Sequence, residues 1–118
     1  MSWKLTNTWL QKTFKKDAVR VSNALNQVHI DNTLEYLIPR DGEYNRDGKP
    51  KFYSIDVLVH DPTFELVGID MWGKGSASED NPKRDAKIKA EGICLLHFKN
   101  STKSESIINL LESEFRKP

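Results

Sequence analysis

Cysteine, long apolar runs and an excess of charge of either sign are all missing from this sequence. Its 118 residues include one cysteine, Cys94, which excludes an internal disulfide and fits a reducing compartment. No apolar run approaches the roughly 18 residues that a membrane span needs. The N-terminal stretch MSWKLTNTWLQK lacks the apolar core of a signal peptide. We therefore expect a cytoplasmic protein without membrane contact.

Charge is balanced, with 18 Lys and Arg against 17 Asp and Glu and a net charge of +1. The global charge therefore gives no argument for a polyanionic partner, and any basic surface must be local. Apolar residues make up 37% of the chain, enough for a modest core. The length predicts a single domain over residues 1–118.

The N-terminal half predicts one helix followed by strands. Apolar spacings of three and four predict a helix over residues 9–28, with Thr8 as its N-cap. Residues 34–38 are a short candidate strand, and residues 39–51, rich in Gly, Pro and charge, predict an exposed loop or a loose hairpin tip. Two strand-like runs, FYSIDVLVH and FELVGIDMW, flank the turn DPT and predict a β-hairpin.

The C-terminal half alternates helices with a strand. Asn81 and Pro82 predict the start of a helix that Gly92 ends. The apolar run ICLLHF, residues 93–98, predicts a strand covered on both faces, and TKSE, residues 102–105, predicts a capping box that opens the last helix. The order α-β-β-β-α-β-α predicts an α/β fold with a central mixed sheet flanked by helices.

Two acidic residues, Asp56 and Asp70, interrupt the predicted hairpin. Both have the strand parity opposite to the apolar residues, so we expect their carboxylates close together on one face, at one edge of the sheet. Such carboxylates repel and are costly to desolvate, and a bound Mg²⁺ or Mn²⁺ compensates both effects. Alternatively, the acids pair with lysines or cap backbone groups.

The apolar residues expected to share a face in each strand are Tyr53, Ile55, Val57 and Val59 in the first, and Val67, Ile69 and Met71 in the second.

The stretches YSIDVLVHDPTFELVGIDMWG and NPKRDAKIKAEGICLLHF resemble the core of the PD-(D/E)XK, or restriction-endonuclease-like, nucleases. The likeness is greatest to the small branch around the very short patch repair endonucleases. Asp56 matches the first acid of that family's motif and Asp70 the second. The other matching residues are Gly73 after the second strand, Arg84 and Asp85 on the helix, and the turn Gly92-Ile93.

The resemblance covers residues 51–98 and implies a restriction-endonuclease-like core. It also implies metal-dependent hydrolysis of phosphodiester bonds in DNA, with RNA as the alternative substrate. Asp56 and Asp70 would hold Mg²⁺ or Mn²⁺ with help from a backbone carbonyl near Met71.

The sequence departs from the family pattern at Trp72, where the motif has a lysine. Lys74, Arg84 and Lys87 are the candidate replacements, each with a solvated surface charge as its alternative. Together with Lys83 they predict a local basic zone beside the acids that binds nucleic acid with salt-dependent affinity. Trp72 itself is either the end of the core or a platform against a base or sugar.

Three further residues have less specific signals. Glu35 is a candidate third metal ligand or a surface acid, while His97 and Cys94 are assigned structural roles in a buried strand.

The sequence thus predicts a DNA nuclease that would need a homodimer to cut both strands. The missing motif lysine favours a second hypothesis, a non-catalytic module that binds nucleic acid or a protein partner. A plain structural interaction domain is the third, and it requires that both acids have no role.

Overall fold

The computed structural model describes residues 15–73 and 82–118. These residues form an α/β fold with a four-stranded mixed sheet, and the order of the elements is the predicted one. The elements are α1 (Lys16–Gln27), β1 (Asn32–Tyr44), β2 (Pro50–Val59), β3 (Val67–Trp72), α2 (Pro82–Ala90), β4 (Cys94–Lys99) and α3 (Ser104–Leu110), which continues as the π-helical turn Leu111–Phe115.

The strand order in the sheet is β1-β2-β3-β4. The pairs β1–β2 and β2–β3 are antiparallel, and β3–β4 is parallel, with α2 as the crossover between the last two strands. Among the described residues, no helix combines the length and the apolar character needed to cross a bilayer.

Helices cover both faces of the sheet and define two apolar clusters. Helices α1 and α3 pack on one face with residues of β2 and β3, and α2 packs on the other through Ile88. The first cluster contains Ala18, Val21, Leu25, Ile30, Val57, Val59, Phe64, Val67, Ile69, Met71, Ile107 and Leu111. The second contains Ile38, Ile55, Leu58, Ile88 and Ile93.

Helix α1 begins at Lys16, because Lys15 has extended backbone angles of φ −62° and ψ 134°. The predicted cap Thr8 and residues 9–14 lie outside the described residues. The helix predicted over residues 9–28 ends one residue earlier than expected, since Val28 follows the helix end and is 47% exposed. The chain leaves the helix there because His29 adopts a left-handed φ of 60°.

Strands β1 and β2 are longer than predicted. Residues 39–44 and 50–51 belong to the strands, so the expected loop over residues 39–51 shrinks to a hairpin turn at residues 45–49. The Asn45 N–H donates to the Lys49 carbonyl at 2.8 Å, and Gly48 supplies a φ of +77° for the turn. Pro39 is compatible with β1 because β1 is an edge strand, where a missing N–H is tolerated.

The predicted antiparallel pairing of β2 and β3 is confirmed, but β3 begins at Val67 and not at Phe64, so the connection is longer than the predicted DPT turn and spans residues 60–66. Asp61 stabilises this connection. Its carboxylate accepts hydrogen bonds from the Thr63 hydroxyl at 2.6 Å, the Thr63 N–H at 2.9 Å and the Asp31 N–H at 3.0 Å. These bonds, the one from the Thr63 hydroxyl foremost, lower the pKa of Asp61 to about 2.

Strand β4 is an edge strand in the described part of the chain and both its faces are covered only in part, so the prediction of a strand covered on both faces is confirmed only in part. Its residues alternate between exposed and half-buried, Cys94 is exposed and His97 is only partly covered. The apolar run reflects parallel pairing with β3, and its side chains pack at the margins of both clusters, Leu96 and Phe98 at the first and Leu95 at the second.

The last helix begins at Ser104 after Lys103, which makes no side-chain capping hydrogen bond. The predicted capping box from Thr102 to Glu105 is therefore not formed. Ile107 and Leu111 nevertheless enter the first cluster, as the apolar spacing of this helix requires.

Candidate functional site

The two acids lie where β2 and β3 part. The ladder between these strands runs from the pair Val59–Val67 to the pair Val57–Ile69, and the next position in this register brings Asp56 opposite Asp70. Both acids belong to the two central strands, so the expectation of a site at the edge of the sheet is corrected.

At this point, carboxylates replace backbone carbonyls as hydrogen-bond acceptors between the strands. The Met71 N–H donates to Asp56 Oδ2 at 2.8 Å, and the Asp56 N–H donates to Asp70 Oδ1 at 3.3 Å. The sheet opens between its central strands, and the two carboxylates lie in the opening. The predicted proximity of the acids on adjacent antiparallel strands is therefore confirmed.

Beside the opening, the side chains of β1 and β2 change from one face of the sheet to the other. Leu34 and Val57 belong to the first cluster, whereas Tyr36 and Ile55, two residues away in each strand, belong to the second. Glu35, between Leu34 and Tyr36, has a positive φ of 52°, which a non-glycine strand residue rarely adopts. The prediction that Ile55 and Val57 share a face is therefore wrong, because the alternation of β2 reverses between these two residues, beside Glu35 of β1.

Arg84 of α2 binds Asp70 and bridges the opening. Its Nη2 donates to Asp70 Oδ2 at 2.7 Å and to the Ser54 carbonyl at 2.8 Å. The side chains of Arg84 and Asp70 are 14% and 7% exposed, so the ion pair is largely shielded from solvent. Because Ser54 belongs to β2 and Asp70 to β3, the guanidinium fixes the separation of the two strands.

Lys15, just before α1, reaches the other carboxylate. Its Nζ lies 3.3 Å from Asp56 Oδ2 and 3.4 Å from the Met71 carbonyl oxygen. Helices α1 and α2 pack on opposite faces of the sheet, so the two cations approach the acids from opposite sides.

Burial raises the pKa of the Asp56 carboxyl above its usual value of 3.8. The hydrogen bond from Met71 and the charge of Lys15 act in the opposite direction, while the charge of Asp70 adds to the increase. Burial thus disfavours the charged form of Asp56, and the nearby charge of Asp70 acts in the same direction.

His97 and Trp72 form an aromatic pair beside Asp70. Their ring centroids are 4.4 Å apart, and His97 Nδ1 lies 3.8 Å from Asp70 Oδ2. The assignment of His97 to a buried structural role is wrong, because its side chain is 29% exposed and borders the site. Trp72 lies at the end of β3, half-buried, as the core-edge interpretation predicts.

Two open cavities adjoin this aromatic pair. One, of about 560 Å³, lies between α2 and β4 and is lined in part by Asp85, Lys89 and His97. The other, of about 430 Å³, lies at the carboxyl ends of β3 and β4, where Trp72 meets Lys99. Each is large enough for a small organic group beside the aromatic pair.

Two other predicted site residues, Lys83 and Lys87, do not contact the acids. Lys83 pairs with Glu43 at 3.7 Å, and Lys87 pairs with Asp41 at 2.8 Å, so both bind β1 instead. Lys74 lies outside the described residues. Glu35 is exposed and, within residues 15–73 and 82–118, no three His, Cys, Asp or Glu residues group as metal ligands.

Lys15 and His97 are the site residues that sequence reasoning missed. No local motif points to Lys15, since it lies 41 positions from Asp56 and precedes a helix. A signal for His97 did exist, because its strand parity in β4 matches that of Asp70 in the parallel register Asp70–His97.

Comparisons with protein-family models, curated proteins and solved structures found no match for this chain.

Proposed function

We propose that this protein is a metal-dependent nuclease that hydrolyses phosphodiester bonds in DNA. One observation carries the proposal: the Asp56 carboxylate and the Met71 carbonyl converge on a cation, beside a second buried carboxylate at Asp70. Oxygen ligands of this kind suit Mg²⁺ or Mn²⁺. The restriction-endonuclease-like core remains part of the same proposal, and it rests on the resemblance over residues 51–98.

The donor set of the site fits a hard divalent cation. It contains two carboxylates and one carbonyl, and Mg²⁺ characteristically completes its coordination with water and phosphate oxygens. An ammonium group already lies against two of these three donors, which supports a preference for positive charge at this position. The Lys15 side chain is 55% exposed, so it can move aside without opening the core.

The residues of the chain have distinct roles in this proposal. Asp56, Asp70 and the Met71 carbonyl would hold the metal, which when bound polarises the phosphate and lowers the pKa of the attacking water. Arg84 keeps Asp70 in one orientation through its two hydrogen bonds across the opening. The positive charge that a lysine at Trp72 would supply comes from Arg84 and Lys15.

The proposal is tested by incubating plasmid and single-stranded DNA with the purified protein in Mg²⁺ or Mn²⁺. We expect cleavage that a chelator abolishes. Asp56→Asn and Asp70→Asn should reduce cleavage to the level measured with chelator, because each removes a charged oxygen ligand. Asp47→Asn, in the exposed hairpin turn, is the matched control and should cleave like the parent. Chelator-resistant cleavage, or full activity of Asp70→Asn, would contradict the proposal.

The second candidate is a non-catalytic module that binds nucleic acid or a protein partner. The observation that favours it is the charge balance, since Asp56 and Asp70 each have a cationic partner, Lys15 and Arg84, without any metal. In that case, the parent protein would cut no DNA or RNA with either metal, yet would retain binding in the presence of chelator.

A further inference from the structure

The position of Lys15 differs from that of an ordinary surface lysine. Its extended backbone places the residue just outside α1, and its Nζ contacts one buried carboxylate and one main-chain carbonyl at the same time. The Asp56 side chain is only 13% exposed, compared with 55% for Lys15. The adjacent Lys16, in the first turn of α1, makes neither contact.

The two contacts of Lys15 are long, at 3.3 and 3.4 Å, and they involve the oxygens that the proposed function assigns to the metal. Ammonium–carboxylate contacts of ordinary strength are shorter, about 2.7–2.9 Å. The ammonium is therefore held loosely, at a place where a divalent cation would be held more strongly. A lysine side chain has four flexible carbons, so its charge stays within reach when it leaves these oxygens.

We propose that Lys15 is the mobile cation of this site. In the free protein its ammonium neutralises Asp56, and a divalent cation that binds Asp56 and the Met71 carbonyl displaces it. The displaced ammonium then donates a hydrogen bond to a non-bridging oxygen of the scissile phosphate. This role rests on the proposed nuclease function.

The chemistry that follows needs no proton from Lys15. Water attacks phosphorus and gives one proton to solvent, the bond from phosphorus to the leaving oxygen breaks, and that oxygen takes a proton from solvent. Lys15 stays protonated throughout and stabilises the negative charge that develops on the phosphoryl oxygens.

The first test measures Mn²⁺ affinity by calorimetry, without substrate, for the parent, Lys15→Met and Lys16→Met. Removing a competing ammonium should tighten Mn²⁺ binding by Lys15→Met about two- to fivefold, the scale of a half-exposed ion pair. Lys16→Met should bind like the parent, because Lys16 does not touch the site. Thermal unfolding verifies that both variants are folded.

The second test measures DNA cleavage at saturating Mg²⁺. Loss of a transition-state charge should lower the rate of Lys15→Met about 10²–10³-fold. Lys15→Arg keeps the charge and should recover much of the rate, whereas Lys16→Met should match the parent.

The outcomes separate this inference from the proposed function. Equal Mn²⁺ affinity and equal cleavage for Lys15→Met and Lys16→Met would overturn the role of Lys15 while leaving the nuclease intact. If Lys15→Met binds metal more tightly and also cuts faster, Lys15 only competes with the metal. That result would overturn its proposed role at the scissile phosphate. A parent that binds Mn²⁺ but cuts nothing overturns the nuclease function, and the affinity comparison then decides whether Lys15 occupies the metal position.

Discussion

At Asp56, burial and the neighbouring positive charge change the pKa of the carboxyl in opposite directions. Burial raises the pKa of its carboxyl and Asp70 adds to the rise, while the Met71 amide and Lys15 lower it. A carboxylate in such surroundings is more easily protonated than a solvated one, and any cation that approaches it gains from its charge.

Titration of Asp56 should therefore differ from that of a solvated aspartate. We expect a protonation midpoint above 3.8 when carboxyl carbon shifts are followed by NMR, and a still higher midpoint in Lys15→Met. Lys16→Met should leave the midpoint unchanged. Because the folded-state pKa is the higher one, Asp56 favours the folded state most below pH 3.8. This contribution falls as the pH rises through the folded-state value. A midpoint at or below 3.8 would contradict this account.

At the scale of the elements, the opening between β2 and β3 depends on close packing beside it. Gly68 of β3 lies under the side chains of Ile55, Ile93 and Leu95. A Cβ at Gly68 would approach the nearest atoms of these three side chains to 3.0, 3.1 and 3.2 Å, respectively. Because Gly68 has no side chain, Ile55 can pack on the α2 face of the sheet, with the second cluster.

Gly68→Ala should therefore destabilise the protein by about 1–3 kcal/mol, the range found when a well-packed core receives an extra carbon. Chemical denaturation of the parent and the variant gives this difference. Ser54→Ala, an exposed position in β2, serves as the control and should stay within about 0.5 kcal/mol of the parent. A stability of Gly68→Ala equal to that of the control would show that the three side chains move aside at no cost.

For the whole molecule, a net charge of +1 means that nucleic-acid binding depends on how charges are paired. The predicted basic zone is largely engaged in the described residues, since Arg84 binds Asp70, Lys83 binds Glu43 and Lys87 binds Asp41. Acids of β1 thus pair with two basic residues of α2, and an acid of β3 pairs with a third.

Releasing one of these lysines should strengthen DNA binding. Asp41→Asn frees Lys87, so we expect tighter binding to duplex DNA and a salt dependence steeper by about one phosphate contact. Fluorescence anisotropy over a range of salt concentrations measures both effects. Asp47→Asn in the same hairpin changes the net charge equally, but releases none of these lysines. Equal effects of the two variants would rule out Lys87 as a DNA contact, and salt-independent binding by the parent would favour a protein partner.

Much of the fold follows from local patterns in the sequence. Alternating apolar residues defined β2 and β3 and gave Asp56 and Asp70 the same parity, and Pro82 and Gly92 marked the limits of α2. Gly92 has a φ of +80°, so its role as a helix terminator is a property of the residue itself. Such features depend on neighbours a few positions away, and the sequence therefore determined them.

Other features were decided by tertiary structure. The ICLLHF run did not reveal that β4 is an edge strand in the described residues, because the place of a strand in the sheet depends on which strands pair with it. The extension of β1 to Tyr44 arises from pairing with β2, which overrides the loop-like composition of residues 39–51. The cation at Asp56 comes from Lys15, 41 residues away, while Lys83 and Lys87 bind β1. Periodicity predicts which side of a strand a residue occupies where the alternation is regular, and it failed between Ile55 and Val57. Only the packing of distant elements fixes which charge lies opposite a residue.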